Sequence, residues 1–196
     1  MQAYDQRFQE VLDCAESLFA RQGFHATSMR DIARAACMSV AGLYYYLPSK
    51  QAALSLICER IFDRLENGSA ASAAVGSPRE RLAAFIRGHL GYLLTNNLSY
   101  RVLLHDMQAL EGESSQGARA RRRRYFHSLV ELLAELEPRE RHRSRMAAGA
   151  LFGMLNWVPT WYREERDGNV EALAARLTEL FLAGFYSDAL VARATA

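Results

Sequence analysis

The stretch over residues 27–50, TSMRDIARAACMSVAGLYYYLPSK, constrains the fold more than any other part of the chain. Thr27 and Ser28 can each cap a short helix through a side-chain oxygen, and Ile32, Ala33 and Ala36 give that helix a narrow apolar face. Ser39 can cap a second helix over residues 40–46, with Leu43 and Leu47 as its anchors. Helices this short are unstable alone, so packing from their neighbours must hold them. Ser39, Val40, Ala41 and Gly42 are small enough to let the second helix approach a groove, and the tyrosines beyond can reach phosphates. That is the design of a helix-turn-helix reader. The same residues also suit an ordinary packed corner, and spacing alone does not choose between the two.

The remainder of the chain predicts an all-α protein. Its 196 residues are 50% hydrophobic, enough to bury a full core, and no alternating apolar run suggests a strand. A parallel-sheet enzyme fold is thereby disfavoured. The net charge of +2 argues against indiscriminate coating of nucleic acid. Cys14, Cys37 and Cys58 are scattered without metal-ligand spacing, which fits a reducing cytoplasm. No apolar signal core or membrane-length run is visible, so a cytoplasmic protein without membrane association is expected. The histidines His25, His89, His105, His127 and His142 form no zinc-binding or nucleophile motif, and neither a metal, a cofactor nor a catalytic site is expected.

Taken in order, Phe8, Val11, Leu12, Ala15, Leu18 and Phe19 share one face of a helix over residues 5–22, and Gly23 stops it. Ser49 caps a longer helix to about residue 65, which carries Leu54, Ile57, Ile61 and Leu65 on one stripe. Residues 67–77 are the best linker candidate, either helical or looped. Domains are therefore expected at residues 1–50 and 67–196, with residues 50–66 connecting them. Ser77 and Pro78 open the next helix, followed by one over residues 99–110 and a loop over 111–117.

Arg119 and the run Arg121, Arg122, Arg123 and Arg124 then precede an amphipathic stretch. Four adjacent arginines cannot all share one helix face. They suit either a solvated surface or an anion site for a phosphate-bearing ligand. The last two helices, over residues 141–166 and from Asn169 onward, read as a dimerisation pair. Gly149 and Gly153 permit close helix approach in the first, and Leu177, Phe181 and Phe185 lie on the apolar stripe of the second. Pro159 should kink the first of these helices, where Trp157 and Trp161 share a face. Each tryptophan alone is more readily explained by core and interface packing than by ligand contact.

The run Ile32-Ala33, Ala36, Ser39, Leu43-Tyr44, Tyr46, Pro48-Ser49-Lys50 and Leu54 resembles the N-terminal signature of the TetR family of bacterial transcriptional regulators. It departs from that signature at Cys37, where a turn glycine is usual, at Ala41, where a second glycine is common, and at Leu47, where phenylalanine is usual. Cysteine at a positive-φ position would be strained. The resemblance implies that Thr27 and Arg30 touch backbone or nearby bases, that Ser39, Val40, Ala41 and Tyr45 face base edges, and that Tyr44 and Lys50 hold phosphates. Acidic and basic side chains balance over residues 1–50, so affinity should come from placement and from two copies acting together.

Residues 105–133 and the segment GMLNWVPTWYR over 153–163 resemble the C-terminal domain of TetR-type repressors of fatty-acid, steroid or aromatic-acid degradation, which acyl-coenzyme A thioesters generally relieve. That resemblance implies Arg119, Arg122 and Arg123 as holders of coenzyme A phosphates, and Phe85, His89, Leu103, Met107, Phe126, Asn156, Trp157 and Trp161 as lining for the acyl group. The expectation is a homodimeric repressor of palindromic operator DNA. A repressor answering to an unrelated drug or metabolite is the close rival, and a helical enzyme or a structural dimer module is the remote one.

Overall fold

The computed structural model describes residues 2–73, 76–112 and 115–185. Among them every regular element is helical, in two compact units. The first unit comprises residues up to Arg64 together with Asn96–Arg123, and the second comprises Leu65–Thr95 together with residues from Arg124 on.

In the first unit α1 (Gln2–Gln22) buries Val11, Leu12, Ala15 and Phe19 and stops at Gly23, whose φ of 85° places it in the left-handed region. α2 (Met29–Ala35) starts with a capping box: Asp31 N–H donates to the Ser28 hydroxyl, and the Asp31 carboxylate accepts from Ser28 N–H at 2.9 Å. α3 (Val40–Tyr46) starts at Ser39, whose Oγ accepts from Gly42 N–H at 3.0 Å. Between them Cys37 N–H donates to Arg34 O and Met38 N–H to Ala33 O, the paired bonds of a Schellman turn. Cys37 occupies the position of that turn where glycine is favoured. Its φ of 53° makes it the one non-glycine with positive φ among the described residues. α4 (Lys50–Ala73) starts at Ser49, whose Oγ accepts from Ala52 N–H at 3.0 Å. It continues well past the expected end near residue 65, with Ala70, Ala71 and Ala73 in its last turn and no proline before Pro78. Residues 74–75 of the linker candidate lie outside the described residues.

The single helix expected over residues 99–110 is replaced by three pieces: α6 (Asn97–Arg101), a π-turn (Val102–Asp106) and a 3-10 turn (Met107–Ala109). The broken segment is tied to α1 and α4 by polar contacts. Ser99 Oγ donates to Glu16 Oε1 at 2.6 Å, Phe24 N–H to Asp106 Oδ1 at 3.0 Å, and Gln51 Nε2 to Ala109 O at 2.8 Å. Arg60 holds the other Glu16 oxygen and Asp13. A regular α-helix offers each group a fixed angular position, and a π-turn is the usual way to re-aim one of them. α7 (Gln116–Leu136) begins against α4 at Gly117, where an added Cβ would lie 2.4 Å from Glu59 Oε1.

In the second unit α5 (Pro78–Thr95) packs against both α8 (Ser144–Trp161) and α10 (Val170–Phe185). The fully buried Leu82, Ile86 and Leu90 of α5, Leu151 and Leu155 of α8, and Phe181 of α10 supply its apolar core. The expected helix over residues 141–166 is shorter than its periodicity suggested: Pro138–Arg143 forms a 3-10 turn, α8 ends at Trp161 with Pro159 in its last turn, and α9 (Glu164–Asp167) follows. Asn169 Oδ1 accepts from Ala172 N–H at 2.9 Å and caps α10 as expected. No described helix is long and apolar enough to cross a membrane.

Asp106 is 6% exposed and serves a main-chain donor 82 residues away. Asp106→Ala should therefore cost about 1–3 kcal/mol in urea unfolding, because it leaves the buried Phe24 N–H without its acceptor. Asp106→Asn, which keeps an acceptor oxygen, should cost less.

Candidate DNA-reading surface and aromatic cluster

α3 has two faces with different tasks. Leu43 and, just beyond it, Leu47 are fully buried, which fixes the helix to the first unit. Ser39, Ala41, Tyr44 and Tyr45 are exposed, Val40 is half-buried at the same end, and Arg30 projects from α2. Tyr45, at 74% exposure, is the most exposed large apolar side chain described. Its ring meets Tyr4 and Tyr46 edge-on, at 5.6 and 5.3 Å between centroids.

Thr27 and Lys50 face inward. Thr27 is 2% exposed and its hydroxyl donates to Gly23 O at 2.8 Å. The Lys50 ammonium donates to Phe24 O and Thr27 O, each at 2.7 Å, and lies 4.3 Å from the centre of the Phe24 ring. The physical reason is that main-chain carbonyls of the corner after α1 keep acceptor capacity, Phe24 O taking only a 3.3 Å bond from Thr27 N–H, and a flexible ammonium with three donors can collect them. Arg7, which the sequence did not single out, does the same for the end of α2, donating to Ala36 O at 2.5 Å.

The second unit brings together Phe85, His89, Phe126 and Asn156 from the expected lining set, joined by Tyr125 and Phe152. Phe85 stacks on Tyr125 at 5.2 Å, Phe152 meets Phe85, His89 and Tyr125 at 5.5–5.9 Å, and Phe126 stacks on Phe152 at 5.8 Å. His89 is 3% exposed, with Nδ1 2.9 Å from Tyr125 Oη and Nε2 3.2 Å from Asn156 Oδ1. A carboxamide oxygen only accepts, so Nε2 carries the proton and Nδ1 takes the phenol hydrogen. Burial pushes the imidazole pKa down to about 4 and raises that of the Tyr125 phenol. The result is a neutral polar relay inside an aromatic cage. Tyr125 and Phe152 carried a signal that was overlooked: Tyr125, Leu129 and Leu133 are spaced four apart on α7, and Phe152 precedes Leu155 by three on α8.

The other expected ligand residues fall elsewhere. Leu103 and Met107 are half-buried in the first unit. Trp157 and Trp161 are 62% and 39% exposed. Arg121 pairs with Asp63 and Glu59, Arg124 lies 3.6 Å from Glu66, and Arg119 donates to Leu110 O at 2.5 Å. Arg122 and Arg123 are exposed. Of the expected dimer residues, Gly149 and Gly153 are exposed, with nothing within 4 Å of an added Cβ. Leu177 is half-buried, Phe181 is buried in its own core, and the Phe185 side chain lies outside the described residues. Met146 on α8 and Leu180 on α10 are apolar surface residues, at 63% and 62% exposure. Among the described residues no His, Cys, Asp or Glu group could hold a metal ion. Burial pushes the Cys58 thiol up to about 12, so it is inert packing.

Two family descriptions match the chain: bacterial regulatory proteins of the tetR family over residues 11–55, and the tetracyclin repressor-like C-terminal domain over residues 75–185. The HTH-type transcriptional activator FasR of Mycolicibacterium smegmatis is 25% identical over 164 residues, covering 83% of this chain and 75% of that protein. The fatty acid metabolism regulator protein of Bacillus subtilis is 23% identical over 187 residues, covering 92% and 96%. The crystal structure of AibR in complex with isovaleryl coenzyme A and operator DNA superposes with a TM-score of 0.77 at 26% identity, covering 89% of this chain and 97% of that one. With the C-terminal description spanning more than half of its length and the reader signature preceding it, the chain belongs to the TetR family of bacterial transcriptional regulators.

Proposed function

We propose that the protein is a repressor that reads a palindromic operator as a homodimer and releases it when an acyl-coenzyme A thioester binds. The observation that carries the DNA reading is the division of α3, with Leu43 buried beneath an exposed face of Ser39, Ala41, Tyr44 and Tyr45. In this reading Arg30 and Tyr44 contact the phosphate backbone, and Ser39, Val40, Ala41 and Tyr45 face base edges. Thr27 and Lys50 support the corner from within. The dimer is supported by the exposed apolar face of α8, with Met146, Gly149, Gly153 and Trp157, and by Leu180 on α10. Expected residues 1–50 then act as the DNA-binding domain and residues 67–196 as the effector and dimerisation domain.

The effector class is supported by two features. The cage of Phe85, Tyr125, Phe126 and Phe152 around the neutral His89 relay suits an acyl chain with one polar group. Arg122 and Arg123 precede Phe126 by about one turn of the same helix and keep exposed guanidinium groups for phosphates. The AibR complex holds a ligand of this class together with operator DNA. An effector shifts operator occupancy only by its difference in affinity for the two conformations.

In a gel-shift titration the full operator should bind far more tightly than a single half-site, and Tyr45→Ala should weaken full-site binding by about 1–3 kcal/mol. Equal affinity for the half-site and the full site contradicts the dimeric reading. Titrating an acyl-coenzyme A into the protein–operator complex should release the DNA. Arg122→Gln with Arg123→Gln should weaken that effect about tenfold or more, as expected for loss of a charge-assisted hydrogen bond. Thioester binding that leaves operator affinity unchanged excludes this effector role, and full retention of ligand affinity by the arginine variants favours an unrelated hydrophobic effector.

A further inference from the structure

We propose that Tyr4, outside the helix-turn-helix, is a positioning residue for base reading: it holds the Tyr45 ring in the orientation in which that ring meets DNA. This rests on the reading of α3 as the DNA-contacting helix. A side chain as exposed as Tyr45, at 74%, has little packing of its own to select a rotamer. It is nonetheless held edge-on by two rings, Tyr46 from its own helix and Tyr4 from the first turn of α1. Tyr4 is itself oriented by stacking on Tyr46, with centroids 5.1 Å apart and planes at 20°, and on Phe8 one turn further along α1, at 6.3 Å and 13°. The three tyrosines form a closed triangle of ring contacts in the offset and edge-to-face geometries that aromatic quadrupoles favour.

Tyr4 is 41% exposed, so the triangle is not core packing that happens to reach the surface. Arg7, three residues on and therefore on the same face of α1, donates to Ala36 O at the end of α2. The start of α1 thus brackets both halves of the reader corner, one by a hydrogen bond to the strained turn and the other by the aromatic triangle. A ring ordered before binding loses less rotamer freedom when it docks, and its contact to a base edge is made in one geometry. Removing Tyr4 should therefore cost affinity and discrimination only through Tyr45.

The test is a double-mutant cycle on operator binding by the full chain, read by fluorescence anisotropy against the operator and its single-base variants. Tyr4→Leu should weaken binding by about three- to tenfold and relax discrimination at the same base pairs as Tyr45→Ala, while Tyr4→Phe should stay within about twofold of the parent. In the Tyr45→Ala background Tyr4→Leu should have no further effect. Tyr4→Ala also removes the ring and serves as the second variant, with the same expected loss, if the leucine variant folds poorly, which thermal unfolding reports. Parent-like binding by Tyr4→Leu, or a loss that adds in full to that of Tyr45→Ala, overturns the positioning role. Loss of effect from Tyr45→Ala itself overturns the underlying assignment of α3 instead, so the two failures are distinguishable.

Discussion

The corner between α1 and α2 is held from two directions by charged groups that belong to neither helix. Asp106 accepts the N–H of Phe24, and Lys50 collects the carbonyls of Phe24 and Thr27 while lying over the Phe24 ring. Without them the buried Phe24 N–H would lose its acceptor and the Phe24 carbonyl would keep only a 3.3 Å bond from Thr27 N–H, at a cost comparable to a lost hydrogen bond apiece. Because the corner leads directly into the Ser28 cap, its conformation determines where α2 starts, and the Schellman turn at Cys37 then determines where α3 points. The reader surface is therefore a consequence of polar satisfaction in the corner as much as of apolar burial beneath Leu43.

A second consequence concerns where the reader ends. Asp106 lies within the residues matched by the C-terminal family description, yet Asn96–Arg123 packs with the N-terminal helices in one compact unit. Ser99, Asp106 and Ala109 each contribute a polar contact to α1, to α4 or to the corner between α1 and α2. The π-turn over Val102–Asp106 is the local deformation that accompanies these contacts, in keeping with the tendency of such turns to mark functional segments.

Local signals were legible because they depend on neighbours in sequence. The caps at Ser28, Ser39, Ser49 and Asn169, the Ser77-Pro78 start and the Gly23 stop are short-range hydrogen-bond or dihedral requirements, and each appears where it was expected. The strain expected at Cys37 is visible as its positive φ. Long-range partners were not legible. The inward turn of Lys50, the break after Arg101 and the close approach at Gly117 all depend on groups from elsewhere in the chain. The aromatic cluster was half legible: the family resemblance pointed to Phe85, His89, Phe126 and Asn156, whereas Tyr125 and Phe152 were masked by the arginine run and the glycine pair beside them. The tryptophans, given a lining role only by the family resemblance, are 62% and 39% exposed.

The measurement that bears most directly on the dimeric reader is selection of binding sites from a random DNA library by the full chain, followed by sequencing of the enriched pool. Two copies of α3 related by a twofold axis should enrich an inverted repeat whose half-sites lie about 34 Å apart or a multiple of that, on one face of the duplex. Enrichment of a single asymmetric site, or no enrichment beyond the starting library, contradicts it.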